Sequence, residues 1–217
     1  MVVLHGFSDN GMCWLPVAHD LEDKYDVIMP DARGHGLSVR IQPGEQTDGV
    51  ADAAGLIEAL ELNKPIVGGH SMGGITATEF GARFPELASG LILEDPAWID
   101  PNPADPPLRS NPFWEWLAEL EDVSLDEIIA KGKADNPSWP EEEFPAWAQS
   151  KLQLDVNVFD AVNVRKPWRE LVKAFACPAL LLTADVELGA IVSPETAQEA
   201  TRLSPKSPGC LVSQCRA

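Results

Sequence analysis

No histidine follows residue 70 in this chain of 217 residues; the four present are His5, His19, His35 and His70. Any chemistry that needs an imidazole must draw it from the first third of the chain. Long apolar runs are also missing, since no window approaches the roughly 20 residues that a spanning helix requires. The first residues carry no basic segment, and His5 and Gly6 interrupt their apolar stretch at once, so a signal peptide is not expected. Positive charge is scarce. Sixteen Lys and Arg against 34 Asp and Glu give a formal charge of -18, with no acidic run longer than Glu141 to Glu143. Such a surface repels phosphate backbones and anionic lipid, which argues against nucleic-acid and membrane partners and reads most simply as solubility. The four cysteines, at 13, 177, 210 and 215, have no C-x-x-C spacing and read as free thiols in a reducing compartment. A cytoplasmic location follows by default.

Short two-sided apolar runs alternate with helical patterns over the first 95 residues. Val2 to Leu4, Val27 to Met29, Ile66 to Val67 and Leu91 to Leu93 predict strands covered by helices. Val50, Ala53, Ala54, Ile57 and Leu60 fall at helical spacing, with Asp48 near the start and Lys64 past the end, as suits the helix dipole. Ile75 to Phe84 reads as a further helix, stopped by Pro85. Repeated strand and helix units predict a parallel sheet in an α/β domain.

The pattern changes over residues 96–169. A Pro-rich stretch from Pro101 to Pro112 opens this segment, and six of seven tryptophans fall within it, at 98, 114, 116, 139, 147 and 168. Ser124 with Glu127 and Ile128 predicts a capping box, and a helix is expected around Trp147 to Leu154. This segment is expected to be a helical cap inserted between two parts of a core, residues 1–95 and 170–203. Its tryptophans are expected mostly to pack the insertion onto the core. Ala179 to Thr183 predicts a strand, and Ser193, Pro194 and Glu195 predict a helix capped by Ser193. The tail 204–217 matches neither pattern and holds no strand of useful length.

The strongest chemical signal is Gly68-Gly69-His70-Ser71-Met72-Gly73-Gly74, a G-x-S-x-G turn between a predicted strand and a predicted helix. Glycines two residues to either side let a serine occupy a strained turn whose hydroxyl projects from the sheet. It lacks the Lys-Ser/Thr pair of a phosphate loop and the G-x-G-x-x-G spacing of a dinucleotide site. His5-Gly6-Phe7 ends the first strand, with His5 reading as structural. Asp31-Ala32-Arg33-Gly34-His35-Gly36-Leu37-Ser38 reads as a hydrogen-bonded turn.

Together HGF, DARGHGLS, GHSMGG and LILEDPA resemble the α/β-hydrolase superfamily, in particular its cap-bearing esterase-like, lactonase-like and cofactor-free peroxidase-like members. The resemblance covers Val2 to about Leu203. It implies a three-layer α/β/α fold with a mostly parallel sheet, a helical cap, no metal, and an acyl-enzyme on Ser71 during cleavage of an ester, lactone or amide of a small apolar substrate. It places the oxyanion hole at the backbone N–H groups of Phe7 and Met72. The acid falls on Glu187, with Asp185 second, in Thr183-Ala184-Asp185-Val186-Glu187. Asp95 is the alternative position, which also matches a structural Asp-Pro turn.

The family order is Ser, acid, His, and here no His comes after the acid. The family's last strand and its Gly-His turn are not found after Leu203, and the strands expected before Val2 are missing, so the chain reads as shortened at both ends. The expected activity is therefore impaired, or rests on His35 or a carboxylate as an unusual base. A non-catalytic ligand-binding protein on a hydrolase scaffold is the alternative. Without a last strand, Leu180 to Leu182 would lie on an open sheet edge and favour self-association.

Overall fold

The computed structural model describes residues 1–100, 108–110, 112–120, 123–160, 166–204 and 213–214. In chain order its elements are β1 (Val2–Leu4), α1 (Leu15–Leu21), α2 (Gly49–Ala59), β2 (Ile66–His70), α3 (Met72–Arg83), β3 (Gly90–Glu94), α4 (Pro112–Ala118), α5 (Leu125–Asp135), α6 (Phe144–Leu152), α7 (Trp168–Lys173), β4 (Ala179–Thr183), α8 (Pro194–Leu203) and β5 (Ser213–Gln214). They divide into two compact units. One holds Met1–Phe7, Asp48–Pro101 and Val164–Ala217; the other holds Ser8–Thr47 and Asn102–Asn163. Ser8–Thr47, grouped with residues 1–95 by sequence pattern, clusters with Asn102–Asn163.

The first unit is a parallel sheet of order β1-β2-β3-β4-β5 with its helices. Val2, Val67, Leu91, Leu93, Ala179 and Leu181 fill its interior. α3 packs across β1, β2 and β3 and meets α2 and α7. It buries Ile75, Ala77, Thr78 and Phe80, an apolar stripe at helical spacing worth roughly 1.5–3 kcal/mol per large side chain. Thr78 is the polar member of that stripe. Its hydroxyl donates to Gly74 O at 2.8 Å and accepts from Trp98 Nε1 at 3.0 Å, so neither buried partner lacks a bond. Trp98 stacks on Trp168, with centroids 4.7 Å apart and planes 6° from parallel. These two tryptophans, expected in the insertion, are core residues.

Three helix starts expected from sequence are present with their caps. Asp48 accepts from Ala51 N, Ser193 accepts from Thr196 N, and Ser124 and Glu127 form the reciprocal capping box. Two strand expectations change. Val27–Met29 forms no sheet strand; only Ile28 makes a β-bridge, and all three residues are half-buried. A three-residue apolar run fixes neither a partner nor a register, and here its segment belongs to the other unit. At the far edge, Ser213 and Gln214 pair in parallel with Leu182 and Thr183. The open edge is therefore limited to the N-terminal part of β4 among the described residues. The rest of the tail, with Cys210 and Cys215, and most of the Pro-rich stretch lie outside them.

The second unit is helical. α5 packs on α6 around Leu120, Ile128 and Ala148, with Trp116, Leu117 and Trp147 against them. Trp116 and Trp139 each lie 6.1 Å from Trp147, and Trp114 meets Phe159 edge-on at 4.9 Å. These tryptophans pack one another within their own unit. Asp31 closes the DARGHGLS turn as expected, accepting from Gly11 N and Leu37 N, each at 2.7 Å.

Candidate active site

Ser71 stands between the last residue of β2 and the first of α3, with φ 49° and ψ −108°. A side chain in this region of positive φ costs on the order of 1–3 kcal/mol unless its surroundings impose the conformation. Two backbone bonds impose it here. Ser71 N donates to Glu94 O, and Ala97 N donates to Ser71 O, both at 3.0 Å. Glycine makes the turn sterically feasible. A Cβ at Gly69 would strike the Gly73 carbonyl, and one at Gly73 would strike Leu4 O and lie 2.8 Å from His5 O. The spacing of the two glycines in the sequence is thus a direct record of this packing. The start of α3 lies against the end of β1, which brings Met72 and the His5-Gly6-Phe7 segment to one end of the sheet.

Asp95 lies on the turn bonded to Ser71, also at positive φ, 35°. Its carboxylate accepts from Ile191 N at 2.9 Å and from Val192 N at 2.8 Å, and its own N–H donates to Leu182 O at 2.8 Å. Glu187 and Asp185 are exposed on a single 3-10 turn after β4, where Asp185 accepts from Glu187 N at 2.9 Å. The structure therefore joins the turns of Ser71 and Asp95 through the backbone, with the start of α3 against Leu4 and His5 at the end of β1. Glu187 and Asp185 are placed on the neighbouring loop, and among the described residues neither hydrogen-bonds to the turn of residues 69–74.

His5 is buried, with Nδ1 2.8 Å from Gly6 O, and His35 is buried, with Nδ1 3.0 Å from Arg33 O. A carbonyl only accepts, so Nδ1 is the donor in both rings. His70 is half-buried at the end of β2, in register with Glu94. No described side chain hydrogen-bonds the Ser71 hydroxyl. Neither cysteine among the described residues offers a competing nucleophile, because burial pushes the thiols of Cys13 and Cys177 above their usual value and leaves little thiolate. No cluster of three or more metal-ligating side chains exists among the described residues, and none of their helices is long and apolar enough to cross a membrane.

One buried group escaped the sequence reading. Lys151, in α6, has a side chain only 3% exposed and bonds to Ser8 and Asp9. Nothing in the sequence marks a single helical lysine as buried, since lysine is almost always exposed.

The family model for the alpha/beta hydrolase family matches residues 1–211, and the chain belongs to that family. It is 34% identical over 96 residues to a 2-(acetamidomethylene)succinate hydrolase of Mesorhizobium japonicum, a match spanning 44% of this chain and 34% of the relative. The aligned stretch thus covers about a third of that relative's length. A thermophilic esterase from Thermogutta terrifontis superposes with a TM-score of 0.72 at 26% identity, over 99% of this chain and 80% of the esterase. A deformylase from Pseudomonas putida S16 gives a TM-score of 0.74 at 22% identity, over 99% of this chain and 82% of the deformylase. The latter likeness is one of fold.

Proposed function

We propose that the chain carries a serine-hydrolase site that cleaves an ester, lactone or amide of a small apolar substrate through an acyl-enzyme on Ser71. The observation that carries this reading is the strained backbone of Ser71, fixed between β2 and α3 by Glu94 O and Ala97 N. Strain of this kind persists where it serves a site. Ser71 Oγ attacks the acyl carbon, and the resulting oxyanion accepts from the backbone N–H groups of Phe7 and Met72. Such donors are worth about 10²–10³ in rate each. Collapse expels the alcohol or amine, which departs with the Oγ proton passed through solvent water, and a second water then cleaves the acyl-enzyme, releasing the acid and returning a proton to Ser71 Oγ.

Asp95 is the carboxylate of this site. Two backbone N–H groups orient it on the turn that anchors Ser71, whereas Glu187 is exposed on the adjoining loop. The proton on Ser71 Oγ has no described acceptor, and no histidine follows residue 70, so the hydroxyl reacts slowly in this chain. Loss of one triad member still leaves catalysis of roughly 10³–10⁴ over water from the oxyanion hole and binding.

The test is covalent labelling of the purified 217-residue chain with a fluorophosphonate, followed by peptide mass spectrometry. Slow modification of Ser71, absent in Ser71→Ala, is expected. A folded sample that stays unlabelled through prolonged exposure overturns the assignment.

A further inference from the structure

Two successive backbone N–H groups converge on one anion only where the chain is bent, since in an extended chain they point to opposite sides. Residues 191 and 192 form such a bend. Both donate to the Asp95 carboxylate, Ile191 N at 2.9 Å from Oδ2 and Val192 N at 2.8 Å from Oδ1. What shapes the bend lies just upstream, in the same compact unit. β4 ends at Thr183, and the chain then closes on Asp185. The Asp185 carboxylate accepts from Glu187 N at 2.9 Å, while its backbone carbonyl accepts from Leu188 N at 3.0 Å and from Ala190 N at 3.2 Å. Gly189 turns the chain at φ 100° and donates its N–H to Val186 O at 3.1 Å. On the other side of the bend, Val192 is buried and Ser193 caps α8.

Burial does not shape residues 185–189. All five are exposed, and no atom lies within 4 Å of where a Gly189 Cβ would stand. Their conformation therefore depends on the hydrogen bonds gathered on Asp185. The chain of bonds also continues beyond Asp95. The residue before it, Glu94, accepts from Ser71 N through its carbonyl, and Ala97 N donates to Ser71 O, both at 3.0 Å.

We infer that Asp185 is a positioning residue for the Ser71 site: by closing the loop 185–190 it sets the Ile191 and Val192 N–H groups on Asp95, and through the Asp95 turn it fixes the backbone of Ser71. This rests on the reading of Ser71 and Asp95 given above. Asp185 acts as a hydrogen-bond acceptor, and its charge is not needed. That separates this role from the acid position to which the sequence pattern also brings Asp185.

The test follows fluorophosphonate inactivation of Ser71 at several reagent concentrations, giving a maximal rate and a half-saturation constant for the 217-residue chain and its variants. Asp185→Ala is expected to lower the maximal rate ~10-fold, as small misalignments do, with the half-saturation constant within about twofold. Asp185→Asn is expected to recover most of the rate, because asparagine caps a turn about as well as aspartate. In an Asp95→Asn background, Asp185→Ala is expected to add less than about twofold, since residues acting through one another are not additive. If Asp185→Ala does not fold, Gly189→Ala, strained at positive φ without a clash, carries the same expectations for rate and background. A folded Asp185→Ala with the parent's maximal rate overturns the inference. So does an Asp185→Asn variant as slow as Asp185→Ala, which would make the carboxylate itself the working group, or an undiminished effect in the Asp95→Asn background. A parent chain that never labels overturns the serine-hydrolase assignment and this inference with it. A labelled parent with an unaffected Asp185→Ala variant overturns this inference alone.

Discussion

Asp95 and Glu187 are chemically alike and separated mainly by what surrounds them. The Asp95 carboxylate accepts from two backbone N–H groups, Ile191 and Val192, on a turn that is itself bonded to Ser71. An asparagine there would offer one oxygen and turn an NH2 toward those donors. Asp95→Asn is therefore expected to cost about 1–3 kcal/mol in urea unfolding. It should also slow Ser71 labelling at least tenfold, because the turn that holds the serine loosens. Glu187→Gln, at an exposed site, is expected to change stability by less than about 0.5 kcal/mol and leave labelling as it was. The opposite pattern would return the acid to Glu187. The serine was legible in the sequence because its steric demand is written as two glycines at fixed spacing. Which carboxylate is anchored to that turn was not legible, since several carboxylates follow strands and only backbone N–H geometry distinguishes them. Lys151 was not legible either, because burial of a lysine leaves no local pattern.

At the scale of elements, helix starts were the most readable feature. Asp48, Ser124 and Ser193 each precede an apolar stripe and each accepts the backbone bond that a capping residue supplies. Asp48 does a second task, taking both guanidinium nitrogens of Arg83 at 2.9 and 2.8 Å and so tying α2 to α3. Both side chains are partly exposed, at 33% and 48%, which limits the ion pair to less than about 1 kcal/mol. Loss of cap and pair together in Asp48→Ala is expected to cost about 1–2 kcal/mol in urea unfolding.

Three carboxylates, Asp48, Glu127 and Glu199, contribute to the acid sensitivity of the fold. Arg83 holds Asp48 below its usual pKa, Arg169 does so for Glu199, and the Ser124 hydroxyl does so for Glu127. Groups depressed on folding contribute stability above their unfolded pKa, near 4, and lose it as pH falls through the lower folded value. The melting temperature should thus hold above about pH 5 and decline below pH 4. Asp48→Asn should show a shallower decline than the parent, and an identical slope in the two would count against this origin. The apolar run Val27–Met29 shows where element reading stops, since whether such a run pairs depends on which segments the fold brings beside it.

At the scale of the molecule, the strand edge left unpaired among the described residues and the net charge oppose each other. β5 pairs only with Leu182 and Thr183, leaving Ala179 to Leu181 without a strand partner on that side among the described residues. An unpaired edge templates another chain, while a charge of -18 keeps copies apart. Raising the salt from about 0.01 to 0.15 M shortens the screening length from roughly 30 to 8 Å. Light scattering is therefore expected to show a mass that grows with salt and protein concentration, and Leu180→Lys should suppress it. A monodisperse monomer under every condition would contradict the edge as an association site. The parallel sheet itself was legible as alternating strand and helix units. The grouping of Ser8–Thr47 with the insertion was not, because it depends on long-range packing that no local window contains.

The stack of Trp98 on Trp168 joins positions 70 residues apart in the same unit. During synthesis, Trp98 leaves the ribosome with its apolar face exposed and keeps it exposed until Trp168 has followed. Contacts of such long sequence separation close late and slow folding. A nascent chain halted before residue 168 therefore lacks both β4 and the ring on which Trp98 stacks.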